Sequence, residues 1–414
     1  MPVLNFSMVV TIATVAAAMA TGAPRAGQDM PWRPVIQPLD TPAAGASAQP
    51  QLTGSARGVL LSWIEREGTR ASLKFAERTA TGWSAVRTAA SGDNWFVNWA
   101  DVPSVLRLDD ETLVAHWLQM SGTETYAYDV RLAYSTDDGR SWSPSFSPHH
   151  DGLKREHGFA SLFQMPGKGL GLIWLDGRAM ASAAGHDGHG PSTGAMSVRF
   201  GAFDTAWKQT DDEPVDLRVC ECCPTSAAMT NDGPVIAYRN RGVDEVRDIH
   251  VSRRERGVWS KPKAAHHDNW KIAACPVNGP MLSARGRDVA IAWFTVKDDV
   301  GHAFAAFSRD AGRTFGAPIQ LDQASSLGRV DIELLPDGAA VATWIEFADQ
   351  RSHFSTRRVD PSGRRSPVTS IAALTAARAS GYPRVARAGN ELVFAWTESH
   401  EGALRVRTAR ADVR

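Results

Sequence analysis

Net charge is missing from this chain: 45 Lys and Arg stand against 45 Asp and Glu in 414 residues. A nucleic-acid partner would meet no sequence-wide basic footprint, and none is expected. Long apolar runs are nearly absent as well. Residues 5–20 (NFSMVVTIATVAAAMA) are apolar and uncharged, yet a bilayer span wants about 20 such residues. That run closes on Ala18-Met19-Ala20, an A-x-A cleavage pattern, no Lys or Arg precedes it, and the first charge is Arg25. Residues 1–20 therefore read as a secretory signal peptide, in competition with a short membrane anchor. Residues 21–29 read as a linker. The expectation is an exported protein, periplasmic or secreted, with no membrane span once the leader is cut. Cysteine is confined to four positions. Disorder is excluded for most of the chain, because 43% hydrophobic residues suffice for a core.

Tryptophan and glycine are plentiful, with 14 and 35 copies, and the tryptophans recur. Seven short β-rich runs end on an aromatic: near Trp63, Trp117, Trp174, Tyr238, Trp293, Trp344 and Trp396. The first and last lie 333 residues apart over six intervals, about 55 per repeat. Such runs, bounded by Gly, Asp or Asn, are strand signals. A period near 50 with several strands per unit points to propeller blades. A second landmark follows the strands. Residues 135–142 (STDDGRSW) and 308–315 (SRDAGRTF) share the pattern S-x-D-x-G-x-[ST]-aromatic. Glycine supplies a left-handed turn residue, and Asp bonds amides of its own turn. Degenerate copies end at Trp83, Trp207 and Trp259, with another near Gly363.

These segments resemble the Asp boxes of the sialidase superfamily and other BNR-repeat proteins, and the resemblance covers roughly residues 30–414. It implies an all-β fold, a single β-propeller of four-stranded blades. Sialidases have six blades. The count here favours seven, with six as the alternative, because the last repeat stops after its third strand. The N-terminal stretch Trp32-Arg33-Pro34-Val35 would supply the missing strand and close the ring. In that geometry the loops between strands two and three, and between blades, share one face, and the Asp boxes lie on the other.

Most unusual residues fall on the first face, where a propeller binds ligands. Sialidase chemistry needs arginines around a carboxylate, a Tyr nucleophile served by a Glu, and an Asp acid/base. The matching candidates are Tyr238, Asp176, Asp248 and Glu245 for catalysis. Arg178, Arg239, Arg247, Tyr126, Tyr128, His157, Trp270 and Asn278 are candidates for holding substrate. The F/Y-R-I-P segment that carries the first sialidase arginine is absent. The resemblance thus implies hydrolysis or recognition of an anionic glycan or other small anionic ligand, with exo-α-sialidase-like activity as the candidate reaction and no cofactor required. A non-catalytic binding propeller is the alternative, with Trp95, Trp99 and Trp270 as stacking platforms.

Cys220, Cys222, Cys223 and Cys275 suggest a further alternative. Cys223-Pro224 and Cys275-Pro276 open consecutive repeats, which places all four at the channel mouth. In an exported chain they would form disulfides. Otherwise they would hold copper or zinc as thiolates, with His266 and His267 nearby, although the spacing is not that of a zinc finger. Composition says nothing of the oligomeric state.

Overall fold

The computed structural model describes residues 30–180, 194–375 and 377–414. The expected leader and linker lie outside the described residues, as does most of the His-, Gly- and Ser-rich stretch before Gly194. Seven antiparallel sheets form the blades of a closed propeller. Their inner strands are Ser47–Ser55, Ser104–Arg107, His157–Gln164, Ser226–Thr230, Met281–Arg285, Ser325–Leu334 and Arg384–Ala388, numbered here as blades one to seven. In blade two the outermost position is filled by the bridge Leu132↔Phe146 rather than a full strand. The seven-blade expectation holds. Among the described residues, no helix is long and apolar enough to cross a membrane.

Each repeat aromatic lies in the second strand of its blade. Those strands are continuous apolar runs, such as Leu170–Asp176, in which every residue is buried. Alternation is lost because both faces of a blade pack against neighbouring blades. Accordingly, each of seven hydrophobic clusters joins two adjacent blades, and together they run once around the ring. Trp63, Trp174, Trp293 and Trp344 are wholly buried in them. Outer strands such as Gln209–Val219 alternate between exposed and half-buried residues, as a sheet edge does.

The ring is closed between the two ends of the described chain. Gln37–Leu39 pairs antiparallel with Ala403–Asp412, in the register Gln37↔Arg410 to Leu39↔Thr408. This refines the sequence expectation: the closing strand lies a few residues after Trp32–Val35. Trp32 is instead a buried plug between blades six and seven, against Val341, Phe354 and Trp396.

Both S-x-D-x-G segments make the same turn at the end of the third strand of their blade. Ser308 Oγ accepts from Gly312 N at 2.9 Å, and Asp310 Oδ1 accepts from Thr314 N at 2.9 Å. Gly312 has φ +79°, and a Cβ there would stand 2.9 Å from Val235 of blade four. Glycine is thus needed twice, for the left-handed backbone and for the seat against the preceding blade.

Candidate functional site

The opposite face carries the loops between blades and those joining second to third strands. Three inner strands kink as they reach it: register slips occur at Ala48/Gln51, Gly158/Ser161 and Gly328/Asp331. Each slip contains a non-glycine residue in the left-handed region, Gln49, Phe159 and Arg329. Such conformations cost about 1 kcal/mol or more each and persist where the surroundings fix them. The bulges turn the strand ends across the channel, and the mouth is filled by side chains. Trp99 stacks on Tyr382 at 5.9 Å, and the Arg329 guanidinium sits 4.8 Å over Trp99.

The cysteines meet at this mouth. Cys220, Cys222 and Cys223 are buried, in the connection from blade three to blade four. Cys220 Sγ lies 3.7 Å from Cys222 Sγ and 3.3 Å from Cys223 Sγ. These separations are far above the ~2.05 Å of a disulfide, and the described chain carries none. Asn278 N donates to Cys223 Sγ at 3.4 Å, bringing the blade-four-to-five loop alongside. Exposed Cys275, on that loop, adds a thiol beside Cys222. Arg247 Nη1 donates to Cys220 Sγ at 3.3 Å. Burial alone would raise the Cys220 thiol. The hydrogen bonds from Cys222 and Cys223 and the Arg247 charge outweigh burial and hold Cys220 well below the ordinary thiol range. Burial pushes Cys222 and Cys223 upward, and so does their bonding to Cys220. Within the cluster Cys220 is thus the thiol most readily deprotonated, with Cys222, Cys223 and the Arg247 guanidinium around it.

No histidine joins this group among the described residues. His266 Nδ1 turns instead to Asp268 Oδ1 at 2.8 Å, and Asp268 also accepts from Trp293 Nε1 at 2.8 Å. The pairing of His266 and His267 with the thiols is thus not what the structure forms.

The three candidate arginines do not converge. Arg178 is clamped by Asp176, Nε to Oδ1 at 2.7 Å and Nη2 to Oδ2 at 2.8 Å. Arg239 is buried and donates to three carbonyls, of Asn278, Arg247 and Phe294, at 2.6–2.8 Å. Its guanidinium lies 4.9 Å from the Trp270 ring. Arg247 is paired with Glu245 at 2.8 Å and Glu221 at 3.2 Å. Arg239 is therefore a brace, and no three-arginine carboxylate cradle exists among these groups.

Tyr238 is wholly buried and donates to Asp216 Oδ2 at 2.9 Å. Burial first, and the Asp216 charge second, push its hydroxyl far up, which opposes a nucleophilic role. Glu245 serves Arg241 and Arg247 rather than a tyrosine. Asp248 caps the next loop, accepting from Asn269 N and Trp270 N at 3.1 Å. Asn278 is buried, and its Oδ1 accepts from Arg329 N at 2.7 Å. Tyr126 lies 6.1 Å from Phe96, edge to face. His157 Nε2 meets Asp151 Oδ2 at 3.0 Å.

A triad that sequence reasoning missed surrounds Tyr128. Its hydroxyl lies 2.9 Å from Glu156 Oε1 and 3.3 Å from Asp101 Oδ2, all three buried. Burial and the Glu156 charge push the Asp101 carboxyl up to about 7. Beside the mouth, a cleft of about 500 Å³ opens between blades seven and one, lined by Gln49, Ile64, Arg66, Trp99, Thr397 and Leu404 among others. Trp99 is the one stacking candidate that reaches it; Trp95 stacks on Trp117.

The resemblance drawn from the repeats holds at the level of fold: a closed ring of seven antiparallel blades, a β-propeller. No protein-family model matches the chain. No curated protein matches it either. Solved structures do. The polysaccharide lyase Uly1 is 11% identical with a TM-score of 0.52, covering 95% of this chain and 94% of that one. The α-L-arabinofuranosidase Arb93A from Fusarium graminearum is 10% identical with a TM-score of 0.47, covering 92% and 98%. The NanB sialidase from Streptococcus pneumoniae is 7% identical with a TM-score of 0.46, covering 91% and 94%. At such identities the likeness is one of fold alone.

Proposed function

We propose that this is an exported metal-thiolate propeller, whose channel mouth holds Cu(I) or Zn(II) on Cys220, Cys222 and Cys223. The observation that carries the reading is the convergence of three buried sulfurs to within 4.8 Å of one another. Tetrahedral zinc with bonds of ~2.3 Å places its sulfurs ~3.8 Å apart, close to the 3.7 Å between Cys220 and Cys222. Soft thiolates select Cu(I) and Zn(II) over hard ions. Cys275 stands ready as a fourth ligand. Arg247 supplies the positive charge that a low-dielectric thiolate cluster requires. Protein prepared without oxygen should carry one copper or zinc per chain on these sulfurs, and Cys222→Ser should lose that equivalent. Disulfides in place of metal, seen as absent free thiols after denaturation, would sink the reading. Export is tested on the same material, by whether the mature chain starts near Thr21.

A second reading is favoured by the cleft beside the mouth: recognition of a glycan, with Trp99 as the stacking surface. The fold shared with a polysaccharide lyase supports it. The engaged arginines and buried Tyr238 speak against sialidase turnover. A glycan array that stays blank, together with no turnover of fluorogenic sialosides, would remove this reading and leave the thiol site untouched.

A further inference from the structure

The three sulfurs that meet at the channel mouth are sealed from solvent. Cys220 and Cys223 are each 1% exposed, and Cys222 9%. Their cover is the connection from blade four to blade five, whose Val277 packs against the cluster. Val277 does so at φ +46°, a left-handed backbone that a β-branched residue adopts only where its surroundings impose it. Those surroundings are fixed. The Tyr382 hydroxyl donates to Val277 O at 2.5 Å, Asn278 N donates to Cys223 Sγ at 3.4 Å, and Arg239 Nε donates to Asn278 O at 2.8 Å. Gly279 lies so close to Pro224 O that no Cβ fits between them. A metal ion on the three buried sulfurs therefore lies behind a seated wall, with Cys222 the least buried of its ligands.

One thiol breaks this seclusion. Cys275 is carried by the same connection, is exposed, and lies within hydrogen-bonding reach of Cys222. The sulfurs are thus arranged by depth: Cys275 at the surface, Cys222 beside it, and Cys220 and Cys223 behind. We propose that Cys275 is an exchange ligand, the surface thiol over which a soft metal ion passes between the buried sulfurs and a thiol-bearing metal carrier. The inference rests on the metal-thiolate reading and adds to it that the site loads and unloads, rather than holding a permanent structural ion. Transfer from ligand to ligand never leaves a bare ion in a low-dielectric mouth, where an uncompensated charge is costly. On loading, a bond from the Cys275 sulfur to the metal forms as one bond from a carrier sulfur breaks. Bonds to Cys222, and then to Cys220 and Cys223, replace the rest. Each thiol that becomes a ligand gives its proton to solvent, each carrier thiolate set free takes one back, and the metal keeps its oxidation state. Unloading is the reverse.

The test uses the full mature chain, prepared without oxygen and carrying its zinc or copper. Unloading is followed as transfer to a colorimetric chelator, pyridylazoresorcinol for zinc or bicinchoninate for copper. Loading is followed as uptake from the glutathione complex of the same metal. Rates are compared per bound equivalent. Cys275→Ser should slow both directions about tenfold or more, because the first bond of the exchange is lost. Cys275→His, which keeps a metal-binding side chain at the surface, should recover most of the rate. Near-ultraviolet circular dichroism verifies that each variant is folded. Transfer by Cys275→Ser as fast as by wild type would overturn the exchange role. So would loss of the metal outright, which would make Cys275 a resident ligand. A wild-type chain that takes up no metal fails the metal-thiolate reading itself, a result read before any variant is made.

Discussion

Arg239 and Arg178 are arginines of the same loop-rich face, and both read in the sequence as carboxylate binders. What separates them from that role is where their donors end. The acceptors of Arg239 come from Asn278, Arg247 and Phe294, carbonyls up to 55 residues away, so no local pattern could announce them. The acceptor of Arg178 is Asp176, two residues before it, although the sequence reading assigned Asp176 to catalysis and Arg178 to substrate. The cysteines were placed correctly by the repeat frame alone, since equivalent positions in neighbouring blades are spatial neighbours. The Tyr128–Glu156–Asp101 triad was not, because it joins a loop, a strand and the start of the next blade. Asp101 offers a test at this scale. Its carboxyl is raised in the fold from the ordinary 3.8 to about 7. Below pH ~4 both states hold the proton and the contribution is complete. Between pH 4 and 7 the unfolded chain releases a proton that the native chain keeps, so stability falls as pH rises. Asp101→Asn should flatten that decline in urea midpoints, by at most about 4 kcal/mol across the window. An identical slope in wild type and variant would exclude the raised carboxyl.

Elements were the most legible scale. The aromatic within each second strand marks a blade because that strand is sandwiched between two neighbours, and the resulting apolar run is continuous. The glycine of the S-x-D-x-G segment marks the turn because nothing larger fits. The inner-strand bulges at Gln49, Phe159 and Arg329 left no mark, since these residue types do not advertise a left-handed backbone. Gly312→Ala combines positive φ with a Cβ 2.9 Å from Val235 Cγ2. It should destabilise the protein by about 1–3 kcal/mol, read as a lowered chemical-denaturation midpoint. A variant as stable as wild type would show that the turn does not seat blade five on blade four.

The whole molecule is a closed ring, and its closure depends on three residues, Gln37–Leu39, pairing with the last strand. Removing residues 30–41 should expose the edge of Ala403–Asp412, lower the melting temperature and promote association. Unchanged melting and a monodisperse profile would mean that blade seven is complete without that strand. Closure is also what gathers the loops around one mouth, and it is there that we place a metal on Cys220, Cys222 and Cys223. The metal-edge X-ray absorption spectrum of anaerobically purified protein tests that claim most directly. The account predicts copper or zinc bound by at least three sulfurs at ~2.3 Å. A first shell of nitrogen and oxygen alone, in protein whose cysteines are oxidised to disulfides, would contradict it.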